Sequence, residues 1–249
     1  MPRYKLTISY DGTSYGGWQI QPNTPTIQAS IEAALKTCLG SDVKVIGSGR
    51  TDQGVHAHAQ IAHFDAPKPL EEKKVQYSLN GILPKCIRIH TLELVSDDFH
   101  ARFSAKRKIY TYHLFTSPVR PPFLRLTSYH VRGRFDKELF MQASKRFIGT
   151  HDFTSFTNES TIKHPRKNAI RTIYRLDIIE DTDGLMIEIE GNGFLYKMVR
   201  NIVGTLLDIA KGKISIENLD LIFTGKDRKL AGKSASPQGL FLKKVIYSS

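Results

Sequence analysis

The sequence predicts an α+β fold made of two halves with antiparallel sheets. Three observations carry this reading. Short stretches alternate apolar and polar residues, helical apolar stripes fall between them, and the order of the first half returns in the second.

Arg3 to Tyr10 sets Tyr4, Leu6 and Ile8 against Lys5, Thr7 and Ser9, the period of a half-buried strand. A glycine-rich turn follows. Thr24-Pro25 reads as an N-cap followed by proline at the first helical position. Ile27, Ile31, Leu35 and Leu39 then recur every four residues, and Gly40 ends the helix. Val43 to Ile46 predicts a short strand, and a loop follows. Ala57, Ala59, Ile61 and His63 alternate with His58, Gln60 and Ala62 in the next strand. Leu70 to Asn80 is helical and stops at Gly81 and Pro84; Ile87 to Val95 alternates again. The order β-α-β-β-α-β is the split βαβ pattern of ferredoxin-like folds.

In the second half, Ile109 to Phe115 reads as a strand. Asp136 caps a helix with Leu139, Phe140, Ala143 and Phe147 on one face. Ala169 to Ile179 and Leu185 to Glu190 flank Asp181-Thr182-Asp183-Gly184 as a hairpin. Phe194, Met198, Ile202, Leu206 and Ile209/Ala210 form a helical stripe, Ile216 to Phe223 a short helix, and Leu240 to Tyr247 a closing strand. The boundary between the halves falls near Phe99 to Lys106, giving an N-terminal half 1–102 and a C-terminal half 103–249. The duplication is topological, without a residue-level repeat.

Lys and Arg number 36 against 24 Asp and Glu, a formal charge of +12, which points to a polyanionic partner. No apolar run approaches the roughly 18 to 20 residues that span a bilayer, and the N-terminus leads straight into a strand, so neither an anchor nor a signal peptide is expected. Cys38 and Cys86 form no C-x-x-C pair and predict two reduced, buried thiols of a cytosolic protein.

Gly47-Ser48-Gly49-Arg50-Thr51-Asp52-Gln53-Gly54-Val55-His56 follows a strand like a phosphate loop, but it lacks G-K-[ST] and leads into a strand. It sets a carboxylate beside an arginine and a threonine. Aspartate is ionised at neutral pH and serves as nucleophile or base; it also serves to hydrogen-bond its own turn. His56 and His58 share a strand face while His63 points away, with no acid or cysteine at ligand spacing, so packed or RNA-facing histidines are expected. Tyr10, Tyr15 and Trp18, among glycines and glutamines, suit base stacking, or equally a loop anchored by a buried tryptophan. Lys106-Arg107-Lys108 precedes Tyr110 and Tyr112. Arg120, Arg125, Arg132 and Arg134 are mixed with Phe123, Tyr129 and His130, and Lys163, Arg166, Lys167 and Arg171 cluster again, which is a nucleic-acid footprint. Arg200 either snorkels beside its apolar stripe or meets a carboxylate or phosphate. Gly191-Asn192-Gly193 would place backbone N–H groups at a helix start, a candidate anion site.

Taken together, the chain resembles the TruA-type tRNA pseudouridine synthases. The matching stretches are Tyr10-Asp11-Gly12-Thr13-x-Tyr15-x-Gly17-Trp18-Gln19-x-Gln21 and Gly49-Arg50-Thr51-Asp52-x-Gly54-Val55-His56-Ala57. They continue with Phe99-His100-Ala101-Arg102-Phe103-Ser104-Ala105, Tyr110, Gly149-x-His151-Asp152-Phe153, Phe194-Leu195-x-x-Met198-Val199-Arg200-Asn201 and Gly239-Leu240-x-Leu242. Seven ordered matches are far more specific than one G-R-T-D. Ser236 departs from the pattern, since Ala235-Ser236-Pro237 stands where the family often has a second proline.

The resemblance implies the pseudouridine synthase fold, two ferredoxin-like halves around a basic cleft. It implies an isomerase converting uridine to pseudouridine at positions 38, 39 and 40 of the tRNA anticodon stem-loop, acting as a cytoplasmic homodimer without cofactor or metal. It assigns Asp52 as the catalytic carboxylate, Tyr110 to stacking on the target base, Arg200 to pairing with the aspartate and Arg50 to displacing the base. Two other classes explain the charge less fully. A binding protein of two RRM-like halves would carry the RNP1 aromatic pattern, and a zinc hydrolase or deaminase would carry H-x-E…C-x-x-C; neither is present.

Overall fold

The computed structural model describes residues 1–158, 168–181 and 184–248. The described chain is a mixed α+β structure that divides into two compact units, Met1–Lys106 with Phe241–Ser249, and Arg107–Leu240.

In the first unit the order is β1 (Arg3–Tyr10), α1 (Ile27–Leu39), β2 (Ile46–Gly47), β3 (His56–Asp65), α2 (Glu72–Ile82) and β4 (Ile87–Val95), with β10 (Leu240–Ile246) returning to it. The strands line up as β4-β1-β3, and β2 pairs beyond β3, the order expected of a split βαβ unit. β1 pairs antiparallel with both neighbours, Leu6 opposite Ala62 on one side and Leu92 on the other. β2 pairs antiparallel with His63 and Ala62 of β3, whereas β10 pairs parallel with its His56 and Ala57. The alternation read in β1 is realised as burial: Tyr4, Leu6, Ile8 and Tyr10 point inward with Ile27, Ile31, Leu35 and Leu79. Each such aliphatic side chain contributes about 1.5–3 kcal/mol on burial.

α1 starts two residues later than Thr24-Pro25 suggested. Gly16 donates its N–H to the Pro25 carbonyl (2.9 Å), which keeps that dipeptide outside the helix. Thr26 caps instead, its hydroxyl accepting from Ala29 N, and Gly40 closes the helix at φ 70°. Of the predicted strand Val43 to Ile46 only Ile46 is extended in the sheet, where it joins Gly47 in the two-residue β2. α2 runs through Gly81, and the backbone turns extended at Leu83, just before Pro84.

The second unit contains β5 (Arg107–Phe115), β6 (Tyr129–His130), α3 (Lys137–Lys145), β7 (Gly149–Asp152), β8 (Ile170–Asp181), β9 (Gly184–Gly191), α4 (Met198–Ala210) and α5 (Asn218–Gly225). β5, β9, β8 and β7 follow one another antiparallel, and β6 adds parallel to β5. Asp136 caps α3 as expected, accepting from Leu139 N at 2.9 Å. Of the turn predicted at Asp181-Thr182-Asp183-Gly184, Thr182 and Asp183 lie outside the described residues. Lys163, Arg166 and Lys167 of the third basic cluster do so as well.

α4 is buried on nearly every side. It begins at Met198 rather than at Phe194, because Lys197 takes a left-handed φ of 59° that no helix interior accepts. Asn192 N donates to Thr172 O (3.1 Å), so Gly191-Asn192-Gly193 closes a strand and opens no helix, and the candidate anion site there is overturned. No helix among the described residues is long and apolar enough to cross a membrane. Cys38 and Cys86 are free thiols, half-buried rather than buried.

The cap at Thr26 yields a direct expectation. Thr26→Ala should cost about 1 kcal/mol, seen as a Tm lower by roughly 2–4 °C, whereas Thr24→Ala should change it by less than half as much.

Candidate active site

Asp52 sits in the loop between β2 and β3, where the backbone follows neither helix nor sheet. Its geometry therefore has to come from hydrogen bonds supplied by other segments. The fully buried Gln60 of β3 takes a hydrogen bond from Ser48 Oγ (2.7 Å) and donates Nε2 to the Gly49 carbonyl (3.0 Å). Ser48 N donates to Ile61 O at 2.7 Å. Two residues on, Thr51 is held at both ends: Tyr10 Oη lies 2.8 Å from its hydroxyl, and Trp18 N donates to its carbonyl (3.1 Å). Val55 N donates to Asp52 O (3.1 Å), closing a four-residue turn whose third residue, Gly54, has φ 75°. Gly54 N donates to Tyr15 O at 3.3 Å.

Two glycines make this approach sterically feasible. A Cβ on Gly17, which has φ 104°, would stand 2.4 Å from Thr51 O, and one on Gly12 would stand 2.0 Å from Val55 O. The segment Tyr10 to Gln21 is thus the wall against which the Asp52 loop is pressed. Tyr10, Tyr15 and Trp18 are all buried, and their hydrogen bonds to Thr51 and Gly54 make them anchors of the loop. Burial pushes the Tyr10 phenol far above its ordinary range, which leaves it a neutral hydrogen-bonding group. The Asp52 backbone is fixed while its side chain emerges half-buried, beside the exposed Arg50.

Of the histidines of β3, His56 and His63 are buried and His58 is exposed. His56 and His58 both stack on Phe241, at 4.5 and 4.9 Å, and the buried His56 Nδ1 lies 3.1 Å from the Asp11 carboxylate. His63, at the other end of the strand, accepts from Ala101 N (3.1 Å); burial and then the Arg3 charge push it down to about 4. Among the described residues, no three His, Cys, Asp or Glu side chains group as a metal site.

Tyr110 and Arg200 belong to the second unit. Tyr110 is on β5 opposite Ile189, 8% exposed, with its ring edge-to-face against Phe194 at 5.2 Å. Arg200 lies in the first turn of α4. Its Nε donates to Ala235 O (2.8 Å) and Ala235 N donates back to Arg200 O (2.9 Å). That turn holds no acid and no side-chain cap, so a cation there opposes the helix dipole by about 0.3–1 kcal/mol. Its place is not explained by helix stability.

Reading the sequence alone missed the groups that seat Arg200. Asn201, fully buried, donates to Phe156 O and Asn158 Oδ1 and accepts from Arg228 and Ser234. Gly204 leaves no room for a Cβ beneath Lys233 O, and Tyr112 Oη donates to Ser236 O (2.7 Å). The stretch 228–236 is thus tied to α4 and β5. The departure at Ser236 is absorbed there, because the contact uses its backbone carbonyl. A polar Asn inside an apolar stripe was the available signal.

The first unit has the ferredoxin-like strand order, and its G-R-T-D loop, held by hydrogen bonds from other segments, carries a half-buried carboxylate. The family model described as tRNA pseudouridine synthase matches residues 6–104 and 143–248, so the chain belongs to the tRNA pseudouridine synthase family, isomerases that turn uridine into pseudouridine in tRNA. Among curated relatives, tRNA pseudouridine synthase A 1 of Protochlamydia amoebophila is 51% identical over 99% of this chain and 96% of its own length. The tRNA pseudouridine synthase A of Bacillus subtilis is 44% identical and that of Listeria monocytogenes 46%, each over 99% of this chain and 100% of the relative.

Removing one hydroxyl tests the anchoring. Tyr10→Phe keeps the volume but leaves the buried Thr51 hydroxyl without that partner, at a cost of about 1–3 kcal/mol. Single-turnover pseudouridine formation should fall at least about tenfold while the tRNA Kd stays within about twofold, because the loss is one of positioning.

Proposed function

We propose that the chain isomerises uridines 38, 39 and 40 of the tRNA anticodon stem-loop, with Asp52 as its catalytic carboxylate acting on a flipped-out base. The observation that carries this reading is the held loop: two neighbouring segments, Tyr10 to Gln21 and β3, hold residues 48–55 around a carboxylate that is itself half-buried. The anticodon position is supported by the motif resemblance, and tRNA as the substrate by the relatives' shared name. In this reading Arg50, Tyr110 and Arg200 bind substrate, the enzyme works as a cytoplasmic homodimer, and it needs neither cofactor nor metal.

The reaction breaks the bond between ribose C1′ and N1, forms one between C1′ and C5, loses the C5 proton and gains one at N1. Atoms balance without an energy source. Flipping the base costs a few kcal/mol of unstacking and unpairing. Tyr110 returns about 1–3 kcal/mol by stacking. Arg50, exposed beside the loop, pairs with a phosphate of the displaced nucleotide. Arg200, anchored through Ala235, supplies positive charge for the reacting carboxylate or the backbone.

Tritium release from 5-tritiated uridine in tRNA follows the C5 proton. The parent protein should release tritium with a chelator present and nothing added. Asp52→Ala and Asp52→Asn should release none while binding tRNA within about twofold of the parent. Turnover by either variant sinks the assignment.

A further inference from the structure

The stretch Phe99-His100-Ala101-Arg102-Phe103-Ser104-Ala105 between β4 and β5 carries one of the seven ordered motifs, yet none of its side chains is used in the chemistry above. It presents an aromatic ring to solvent. Phe103 is 75% exposed, although six of the other phenylalanines, among them Phe64 and Phe140, are almost wholly buried. The ring is not loose. His100 stacks against it with centroids 4.3 Å apart, and the Arg102 guanidinium lies 5.7 Å from its centroid.

His100 is itself fixed. Its Nδ1 accepts from Arg102 N (3.1 Å) and Phe103 N (3.2 Å), so in this geometry the ring proton sits on Nε2. Ser104 N donates to His100 O (2.9 Å), and His100 N donates to Ser104 Oγ (3.0 Å), closing the turn. Behind His100, His63 packs edge-on at 4.8 Å, and Tyr247 Oη donates to Ala101 O at 2.7 Å. Arg102 is the charge beside the ring; in sequence the segment is followed by exposed Lys106 and preceded by Asp97 and Asp98, which act on Arg3.

We infer that Phe103, backed by His100 and flanked by Arg102, is a stacking platform for an unpaired nucleobase of the tRNA substrate. A pre-stacked ring gives up little rotational freedom on accepting a base, and every base offers a π-face. Arg102 is placed to pair with the phosphate of the stacked nucleotide, and the chain's +12 charge favours a polyanion over an apolar protein surface. The inference rests on tRNA being the substrate, as proposed above; it adds a point of contact separate from the reacting base.

The test compares Phe103→Ala with Phe103→Trp by filter binding to unmodified tRNA and by circular-dichroism melting. Phe103→Ala should weaken binding roughly 5- to 100-fold, the range one base–aromatic stack supports, while Phe103→Trp stays within about threefold of the parent. Trp18, the only native tryptophan, is 2% exposed, so emission from Phe103→Trp should be quenched as tRNA is added. An alanine variant that melts like the parent and binds tRNA within about twofold overturns the inference. So does a change in sedimentation without a change in tRNA affinity, which would make the ring a contact between proteins. If Phe103→Ala fails to fold, the quench decides: its absence overturns the inference and its presence upholds it. Loss of tritium release by the parent would instead strike the proposed reaction and leave the quench to be read by itself.

Discussion

The hydrogen bond between Tyr10 and Thr51 is the constraint on which the candidate active site depends. It joins the buried end of β1 to the loop that carries Asp52, at a point where the loop has no ladder of its own. Around it, Trp18 holds the Thr51 carbonyl, Gln60 holds Gly49, and Tyr15 receives Gly54. Each contact alone contributes about 0.5–1.5 kcal/mol, but their shared effect is positional. They leave the Asp52 backbone few ways to move. The glycines of the first motif serve the same end, because Gly12 and Gly17 let backbone meet backbone where any side chain would intervene.

The second unit solves a similar problem by different means. Tyr110 is aimed by the pleat of β5, and its ring packs edge-on against Phe194. Arg200 sits near the start of α4 and is steadied through Ala235. The stretch bearing Ala235 is in turn tied to Asn201, Tyr112 and the backbone beside Gly204. A cation in the first helical turn works against the helix, and the buried polar network keeps it in place. Both units thus use hydrogen bonds from neighbouring segments to hold the backbone that carries one charged side chain.

Much of the fold was legible in the sequence because its strands are long and half-buried. Ile87 to Val95 matches β4 residue for residue, and Asp136 caps α3 where its spacing to Leu139 indicated. Errors arose where local signals compete with tertiary hydrogen bonds. Thr24-Pro25 has the composition of a helix start, yet the Pro25 carbonyl is taken by Gly16 and the cap passes to Thr26. Phe194 keeps the phase of α4, but Lys197 turns left-handed before the helix begins. Tyr129–His130 and Gly149–Asp152 are too short to show a period and depend on β5 and β8 for pairing. At the site, the ordered motifs singled out Asp52, Tyr110, Arg50 and Arg200. They did not reveal whether Trp18 and its neighbours stack on RNA or support the loop. Hydrogen bonds settle that question in favour of the loop, since Tyr10 and Trp18 hold Thr51 and Tyr15 receives Gly54.

If Asp52 is the catalytic carboxylate, as proposed, its position and not merely its charge makes the site work. Asp52→Glu preserves the charge and moves the carboxylate by one methylene on an unchanged loop. Single-turnover pseudouridine formation, measured beside tRNA affinity, tests the claim directly. The account predicts a rate lower by about 100-fold or more with the Kd within about twofold. A glutamate variant that turns over within a few-fold of the parent would contradict it.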